Sequence, residues 1–457
     1  MKYNVNQMNV QIPPSAKKII DTFDNANYEI YIVGGAVRDI LMGKPVYDWD
    51  FTTNAKPPEI LKILPEAYYN NKFGTVGFVS EDADVKPYEI TTFRTEYGYS
   101  DSRRPDKIKW GETLDEDLQR RDFTVNAMAL KRIKDDEWKL IDPFNGQEDI
   151  KTKRIRAVGD ANERFSEDAL RLMRAVRIAT ELGFEIEEDT LNAIKMHAVK
   201  LNKISKERVR DELLKILSSK FPYEGIVLLK DTGLMQEILP EIEKTFGVEQ
   251  KSPERHHIYD VGTHSLMSMK FCPSKDPIVR FAALLHDVGK AQTYKKIPSG
   301  VITFYNHEIV SAAIAKRIAA RLKMSKKQTD KLVRLVRYHQ FTLDEKQTDS
   351  AIRRFITNVG VENIPDMLDL RVGDRLGGGA AETSWRLEDF KKRLIEVQKQ
   401  PFTVHDLKID GDDVMKKLNL VPGPKVGDIL NELYEKVVEK EIPNEKEALM
   451  KHLEQVN

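Results

Sequence analysis

Apolar and polar positions alternate in two different ways along this chain, and the change falls near residue 150. In the first third, short apolar runs are separated by polar turns. Glu29–Val33 is one such run, and it ends at Gly34-Gly35. Ala36–Met42 then has the spacing of a helix, closed by Gly43. The runs Val76–Ser80, Tyr88–Phe93, Thr124–Leu130 and Trp138–Ile141 read as strands. From about Ser166 onward nearly every segment repeats with the period of a helix. The breaks fall at Gly183, Pro222, Pro240, Pro253, Pro273 and Pro277. Linkers are expected at Gly247–His257, near Gly377-Gly378-Gly379 and at Pro401. The pattern predicts an α/β head with a mixed sheet, followed by an all-α remainder.

Composition narrows the class. A chain of 457 residues suggests about three domains. Lysine plus arginine number 73, as do aspartate plus glutamate, so the net charge is zero. A uniformly basic surface is excluded, and any nucleic acid must be held by a local patch. The single cysteine, Cys272, allows no disulfide within the chain and fits a reducing compartment. Met1–Val10 lacks an apolar signal core, and no apolar stretch is long enough to cross a membrane. A cytoplasmic protein with no membrane partner is expected. Nothing in the pattern sets the oligomeric state.

The first chemical signal is Val33-Gly34-Gly35-Ala36-Val37-Arg38-Asp39, between a strand and a helix. Glycines there let the backbone approach a ligand, and the helix start offers N–H groups to phosphate oxygens. Arg38 adds a fork that matches phosphate geometry. Asp48-Trp49-Asp50 follows. In an extended segment, residues two apart point the same way, so Asp48 and Asp50 present two carboxylates on one face. Such a pair suits Mg²⁺, which binds through one or two carboxylates plus substrate phosphates. Two metals about 4 Å apart would activate a 3′-hydroxyl and steady a departing pyrophosphate. Alone, a Gly-Gly turn is usually a turn and an Asp-x-Asp usually a solvated loop. Their order on strand, turn, helix and strand is what distinguishes them here.

This text, with Phe51-Thr52-Thr53 after it, resembles the head of the class II tRNA nucleotidyltransferases (CCA-adding enzymes) and bacterial poly(A) polymerases. The resemblance implies metal-binding roles for Asp48 and Asp50 and triphosphate contacts for Gly35 and Arg38. Asp117-Leu118-Gln119-Arg120-Arg121-Asp122-Phe123-Thr124 resembles the family segment that selects ribose. It implies sugar or phosphate contacts for Arg121 and Arg120. Glu167-Asp168-Ala169-Leu170-Arg171-Leu172-Met173-Arg174-Ala175-Val176-Arg177 places charges at 168, 171, 174 and 177, a drifting stripe on a helix. As a simple surface pair, Asp168 and Arg171 would contribute only about 0.3 kcal/mol. The resemblance implies more: a carboxylate and a guanidinium that read the amine and acceptor nitrogen shared by cytosine and adenine. Arg174 and Arg177 lie further along the stripe, within reach of phosphates. Ile178 stands where much of the family has phenylalanine. Ile204–Leu213, which contains Arg208, resembles a further family segment, read as support for the neighbouring helix rather than as chemistry.

A second cluster follows in the helical part. His264, His286-Asp287, His307, His339 and Asp374 gather in one block of a chain with nine histidines. These are common transition-metal ligands. Leu284-Leu285-His286-Asp287-Val288-Gly289-Lys290 resembles the HD-domain phosphohydrolases. The resemblance implies ligand roles for His264, His286, Asp287 and Asp374, with His307 and His339 serving a second ion. The bland alternative is a helical scaffold that kept its histidines. His256, His257 and His405 read as surface residues. The tail, Val404–Leu453, carries Val421-Pro422-Gly423-Pro424 and then an amphipathic helix, and resembles the tail of HD-containing tRNA nucleotidyltransferases.

The resemblance divides the chain into a nucleotidyltransferase head (1–150), a helical neck with templating and RNA-binding helices (151–246), an HD domain (255–380) and a helical RNA-binding tail (400–457). It implies tRNA, CTP and ATP as partners, Mg²⁺ at the head and a transition metal at the HD site. The activity implied is addition of C and A to the tRNA 3′ end, with hydrolysis at RNA ends as a second activity. Three alternatives stand beside it. An enzyme adding only A shares the same motifs. A poly(A) polymerase is expected to carry proline where Ala169 stands. An HD hydrolase with an RNA-binding head would not require Asp48 and Asp50. Relatives that add only CC lack part of the loop Arg94–Asp106, which is present here.

Overall fold

The computed structural model describes all residues except 1–9, 11, 70–74, 80–86, 98–106, 112, 135–136, 251–257, 342–347, 399–403, 440 and 455–457. Most of the loop Arg94–Asp106, most of the expected linker 247–257 with His256 and His257, and Pro401 lie outside the described residues. The chain divides into two compact units, Met1–Glu243 and Lys244–Asn457.

The first unit begins with α1 (Pro14–Asn25), β1 (Ile30–Val33), α2 (Gly35–Leu41), β2 (Asp50–Thr53) and α3 (Pro57–Ile63). β3 (Tyr68–Tyr69), β4 (Thr75–Phe78), β5 (Tyr88–Thr92), β6 (Arg94–Tyr97) and β7 (Lys107–Trp110) follow. Then come α4 (Leu114–Gln119), β8 (Ala129–Lys134), β9 (Glu137–Ile141) and α5 (Gly146–Lys151). The main sheet has seven strands in the order β3-β4-β5-β2-β1-β8-β9. β2 and β5 pair in parallel, and the other pairs are antiparallel. β6 and β7 form a separate hairpin. β1 is central and wholly buried, which explains its unbroken apolar run. Its residues alternate between two cores: Ile30 and Ile32 join Phe51 and Ile90, while Tyr31 and Val33 join Phe93 and Leu118.

One expected strand is corrected. Thr124–Asn126 is a 3₁₀ turn, and the strand begins only at Ala129. The Thr124 hydroxyl donates to Asp149 at 2.6 Å and the Asn126 side chain accepts from Arg38 at 2.8 Å. Side chains tied to neighbours in this way hold the backbone out of the ladder.

The rest of the unit is helical: β10 (Arg154–Ile155), α6 (Ala161–Glu167), α7 (Leu170–Leu182), β11 (Glu185–Ile186), α8 (Glu188–His197), α9 (Lys206–Ser218), α10 (Pro222–Asp231), α11 (Leu234–Ile238) and α12 (Pro240–Glu243). α7 buries Leu170, Leu172, Met173, Val176 and Ile178. It ends at Gly183 in the left-handed region, φ 70°, where a side chain would be strained. Pro222 opens α10 and Pro240 opens α12, so two predicted breaks are helix starts.

The second unit holds α13 (Val261–Phe271), α14 (Pro277–Leu285), α15 (Lys290–Thr293), β12 (Lys295–Lys296), β13 (Ile302–Thr303), α16 (His307–Arg321) and α17 (Lys326–Tyr338). α18 (Asp349–Val359), α19 (Ile364–Gly377), α20 (Trp385–Gln398), α21 (Gly411–Leu418), α22 (Pro424–Val438) and α23 (Lys446–Leu453) complete it. The tail helices share an apolar cluster around Val414, Leu433, Leu449 and Leu453. The expected break near Gly377-Gly378-Gly379 falls where α19 ends at Gly377, with Gly378 and Gly379 in the turn after it. A Cβ on Gly373 would lie 2.4 Å from the Ser268 carbonyl oxygen, and one on Gly377 would lie 2.5 Å from the Ser268 nitrogen. These two glycines let α13 and α19 touch backbone to backbone. No helix among the described residues is long and apolar enough to cross a membrane.

Candidate active site and a histidine cluster

In the head, β1 and β2 pair with Val33 opposite Asp50. The turn after β1 therefore sits beside the start of β2. Gly34 takes φ 72°, and a Cβ there would lie 3.0 Å from Arg121 Nη1 and 3.5 Å from Asp50 Oδ2. Three segments far apart in sequence thus meet at Gly34, and a side chain at that position would be both strained and in the way. Trp49 is buried in the core beneath, while Asp48 is exposed and Asp50 half-buried. That is the alternation expected of an extended segment.

A cleft of about 470 Å³ opens here. Asp50, Arg120, Arg121, Asp168, Arg171 and Arg174 line it, which brings together six of the predicted residues. Asp48, Gly35, Arg38 and Arg177 are not among its lining residues. Arg38 donates to Asp39 at 2.9 Å and to Asn126 at 2.8 Å, which braces α2 against the turn after Phe123. Arg177 bridges α7 to α9 through buried Glu212 at 2.6 Å, with Glu181 at 2.9 Å. Both are held as struts.

The arginines that do line the cleft are tied to carboxylates. Asp117, fully buried, takes Arg120 at 2.7 Å and Arg121 at 3.2 Å. Burial alone would raise its carboxyl, but the two guanidinium groups outweigh burial and hold it below the usual carboxylate range. Asp122 pairs with Arg174 at 2.6 Å, and its carboxyl is likewise lowered against burial by Arg174 and Arg171. Arg171 bonds Glu167 at 2.5 Å and the Arg120 carbonyl at 2.9 Å. Asp168 does not pair with Arg171. Its Oδ1 accepts from the Leu170 N–H at 2.9 Å and its Oδ2 pairs with Arg208 at 2.8 Å.

Arg208 therefore belongs to the cleft, which the sequence reading did not assign to it. Two further residues were missed. Glu89 lines the cleft on β5, in register with Asp50. Its signal was an acid inside an otherwise apolar and threonine-rich strand. Asp117 is the second, and nothing in the sequence marks it as the buried clamp of two arginines.

The second unit gathers all six predicted ligands. His264 Nε2 lies 3.2 Å from Asp374 and 3.4 Å from Asp287, and His286 Nε2 lies 3.3 Å from Asp287. His307 Nε2 lies 3.2 Å from Asp287 and 3.4 Å from His339 Nε2. The other ring nitrogens are anchored outward. Nδ1 of His286, His307 and His339 bonds the carbonyls of Ala283, Phe304 and Val336 at 2.7, 2.9 and 2.8 Å. These anchors turn the three Nε2 atoms toward the Asp287 carboxylate, as a carbonyl behind the ring does for a metal-binding imidazole. The buried Nε2 of His286 has no hydrogen-bond partner. Two sets, His264, His286, Asp374 and His286, Asp287, His339, have ligand atoms close enough to share an ion. Burial opposes charge on His286, but Asp287 and Asp374 outweigh it and push it up to about 10. Burial and the neighbouring His286 push His339 down to about 3.

Close glycine contacts assemble the cluster. A Cβ on Gly289 would lie 2.5 Å from the His307 carbonyl, so Gly289 admits the start of α16 beside Asp287. The α13–α19 contact at Gly373 and Gly377 does the same for His264 and Asp374. His405, by contrast, is exposed, as expected.

The seven-stranded head and its arginine-lined cleft define a nucleotidyltransferase. Residues 30–156 match the family model described as the poly A polymerase head domain. Residues 183–246 match the probable RNA and SrmB-binding site of polymerase A, and 301–453 match tRNA nucleotidyltransferase domain 2, putative. The CCA-adding enzyme of Pediococcus pentosaceus is 33% identical over 436 residues, 95% of this chain and 96% of that one. That of Geobacillus thermodenitrificans is 47% identical over 225 residues, 49% of this chain and 54% of that one. The crystal structure of the Bacillus stearothermophilus CCA-adding enzyme in complex with CTP superposes with TM-score 0.71 at 29% identity, covering 98% of each chain. The chain belongs to the CCA-adding enzyme family.

Proposed function

We propose that this enzyme adds C and A from CTP and ATP to the 3′ end of tRNA without a nucleic-acid template. The observation that carries the reading is the meeting of Gly34, Asp50, Arg121 and the Asp168–Arg208 pair around one cleft. Asp48 and Asp50, with Glu89 beside them, hold magnesium. Bound there, magnesium would supply Lewis acidity at the RNA 3′-hydroxyl and positive charge for the pyrophosphate that leaves. Arg120, Arg121 and Arg174 orient the triphosphate and ribose, fixed by Asp117 and Asp122. Gly35 and Arg38 shape the turn against which the phosphates lie. Asp168 and Arg171 read the base edge, and Arg177 holds their helix to α9. Chemistry of this kind is mainly positioning and charge neutralisation. The test is incorporation into tRNAs ending at the discriminator base, at C or at CC, with CTP and ATP offered separately. Full CCA addition requires CTP uptake on the first two and ATP uptake on the third. Uptake of ATP alone would leave an A-adding enzyme, and long A tails a poly(A) polymerase.

The three outward-anchored imidazoles favour a second activity in the other unit. The cluster binds a transition metal such as Mn²⁺, Fe²⁺, Co²⁺ or Ni²⁺, which imidazole and carboxylate suit. When bound, the metal supplies Lewis acidity to a phosphoester and its attacking water. Water adds to phosphorus, the bond to the ribose oxygen breaks, and that oxygen takes the proton. A 3′-phosphate would thereby leave as inorganic phosphate, and a 2′,3′-cyclic phosphate broken at O3′ would become a 2′-phosphate; either frees the 3′-hydroxyl that nucleotide addition needs. The double variant His286→Ala, Asp287→Ala should lose metal and phosphatase activity and keep nucleotide addition. A metal-loaded wild type that cleaves no phosphoester across a panel of RNA ends would reduce the cluster to a scaffold.

A further inference from the structure

The histidine cluster forms the floor of a pocket of about 440 Å³, within the usual size of small-ligand sites of about 300–1,000 Å³. One wall is the segment Phe304-Tyr305-Asn306-His307. Its neighbours have fixed tasks. Phe304 is buried, carries the Lys290 ammonium 5.4 Å from its ring centre, and gives its carbonyl to His307. Asn306 adopts φ 60° and starts α16. His307 faces the carboxylates. Tyr305, the one ring of the four that is not buried, is 79% exposed and lines the same pocket. An aromatic ring is thus held at the mouth of the site, two residues from a ligand histidine.

Across the lining, Arg371 places one arm on Asp374 at 2.9 Å and lies 5.5 Å from the Phe341 ring centre. It is a rigidly seated cation in the pocket. Lys290 is already committed to Asp287 at 2.6 Å and Gln250 at 2.7 Å. Arg371 is paired with Asp374 through one arm only, and its planar fork keeps further N–H donors, so it stands as the counter-charge for an entering anion. An exposed ring beside an anion site is the pairing that a nucleotide needs: a π-face for the base and positive charge for the phosphate.

We infer that Tyr305 is the stacking platform for the terminal base of an RNA 3′ end whose phosphate sits at the cluster against Arg371. The inference rests on reading the cluster as a phosphoester site, and it makes the ligand a nucleoside 3′-phosphate instead of any small phosphoester. Stacking is indifferent to base identity, so all four terminal nucleotides are accepted, which suits an activity on damaged ends.

The test separates the ring from the cluster. Binding of adenosine 3′-monophosphate to the full chain is measured by calorimetry, with saturating CTP present to occupy the head. Tyr305→Ala should weaken binding about 5- to 150-fold, the range of one lost base stack. Tyr305→Phe should bind within twofold of wild type. In parallel, manganese-loaded protein is given adenosine 3′-monophosphate or glycerol 2-phosphate, which has no base. Tyr305→Ala should raise KM for the nucleotide and leave glycerol phosphate turnover unchanged. Unchanged binding in Tyr305→Ala overturns the inference, as does equal loss with Tyr305→Phe or equal loss on both substrates. A wild type that hydrolyses neither substrate but binds the nucleotide through Tyr305 overturns the hydrolase and leaves the platform standing.

Discussion

The head cleft and the histidine cluster solve opposite electrostatic problems. The cleft collects cations and must keep them apart and aimed. It does so with one carboxylate for each arginine or pair of arginines: Asp117 for Arg120 and Arg121, Asp122 for Arg174, Asp168 for Arg208. The cluster collects lone pairs and must turn them inward. It does so with backbone carbonyls behind three rings and with glycines that let helices touch. A charged clamp tolerates a shift of a few tenths of an ångström, since it depends on charge more than shape. A helix contact in which an added Cβ would lie 2.4 Å from a carbonyl oxygen tolerates no side chain larger than hydrogen. The cleft should therefore be broken by changing charge, and the cluster by changing volume.

The largest effect is expected at the carboxylates of the head. Asp50→Ala or Asp48→Ala should lower nucleotide incorporation at least about 10³-fold, since several kcal/mol of charge stabilisation go with the metal. Metal content of the cluster should stay at its wild-type level in both. Near-normal incorporation with magnesium would remove these residues from the metal site.

Volume comes next. Gly373→Ala changes no ligand and no charge, yet it pushes α19 off α13. Overpacking of this kind costs about 1–3 kcal/mol. The variant should lose most of its transition metal and show a lower melting temperature, with incorporation within about twofold of wild type. Full metal occupancy in Gly373→Ala would show that the helix contact does not build the site.

Charge in the cleft follows. Asp117→Asn keeps the shape and removes the clamp's charge, so KM for CTP and ATP should rise about tenfold, with kcat falling less. Removing one partner of a buried pair costs about 3–5 kcal/mol, so a lower melting temperature is expected too. An unchanged KM would make Asp117 a structural acid only. A smaller change is expected from Asp168→Ala and Arg171→Ala, whose discrimination against UTP and GTP should fall at least about fivefold, since an unmatched polar group costs about 1–3 kcal/mol. Equal slowing with all four nucleotides would remove them from base reading.

The smallest effect is one of pH. The Asp117 and Asp122 carboxyls lie below their ordinary range when folded. Their contribution is complete above the unfolded value of about 4 and is lost as pH falls through the lowered ones. Melting temperature of the wild type should thus be flat from neutral pH to about 5 and then decline. The decline should be shallower in Asp117→Asn, and equal slopes would contradict the clamp.

What could be read from the sequence was local. The turn at Gly34-Gly35, the alternation around Trp49 and the apolar face of α7 each depend on neighbours within a few residues, so spacing alone reveals them. The histidines were legible because their kind is rare in this chain. What was not legible depends on contacts that spacing does not encode. The Asp168–Arg208 pair spans 40 residues and exists because α7 packs on α9. Arg177 shares the stripe of Arg174 but meets Glu212, because that face of the helix is covered. Glu89 reaches the cleft through a parallel strand pair whose register no single segment announces. Gly377 was legible as a helix end, but its second task, leaving room for the Ser268 backbone of α13, rests on a contact that spacing does not encode.

The pairing of acids with arginines also sets how the cleft meets its ligand. A triphosphate entering it finds guanidinium groups that already have counterions in the protein. Binding is therefore an exchange of partners, in which phosphate oxygens compete with carboxylates held in fixed positions. A modest affinity for the nucleotide is expected from this exchange, with a decline in added salt shallower than the number of arginines suggests. Pyrophosphate leaves the same way it came, since the carboxylates stand ready to reclaim their arginines.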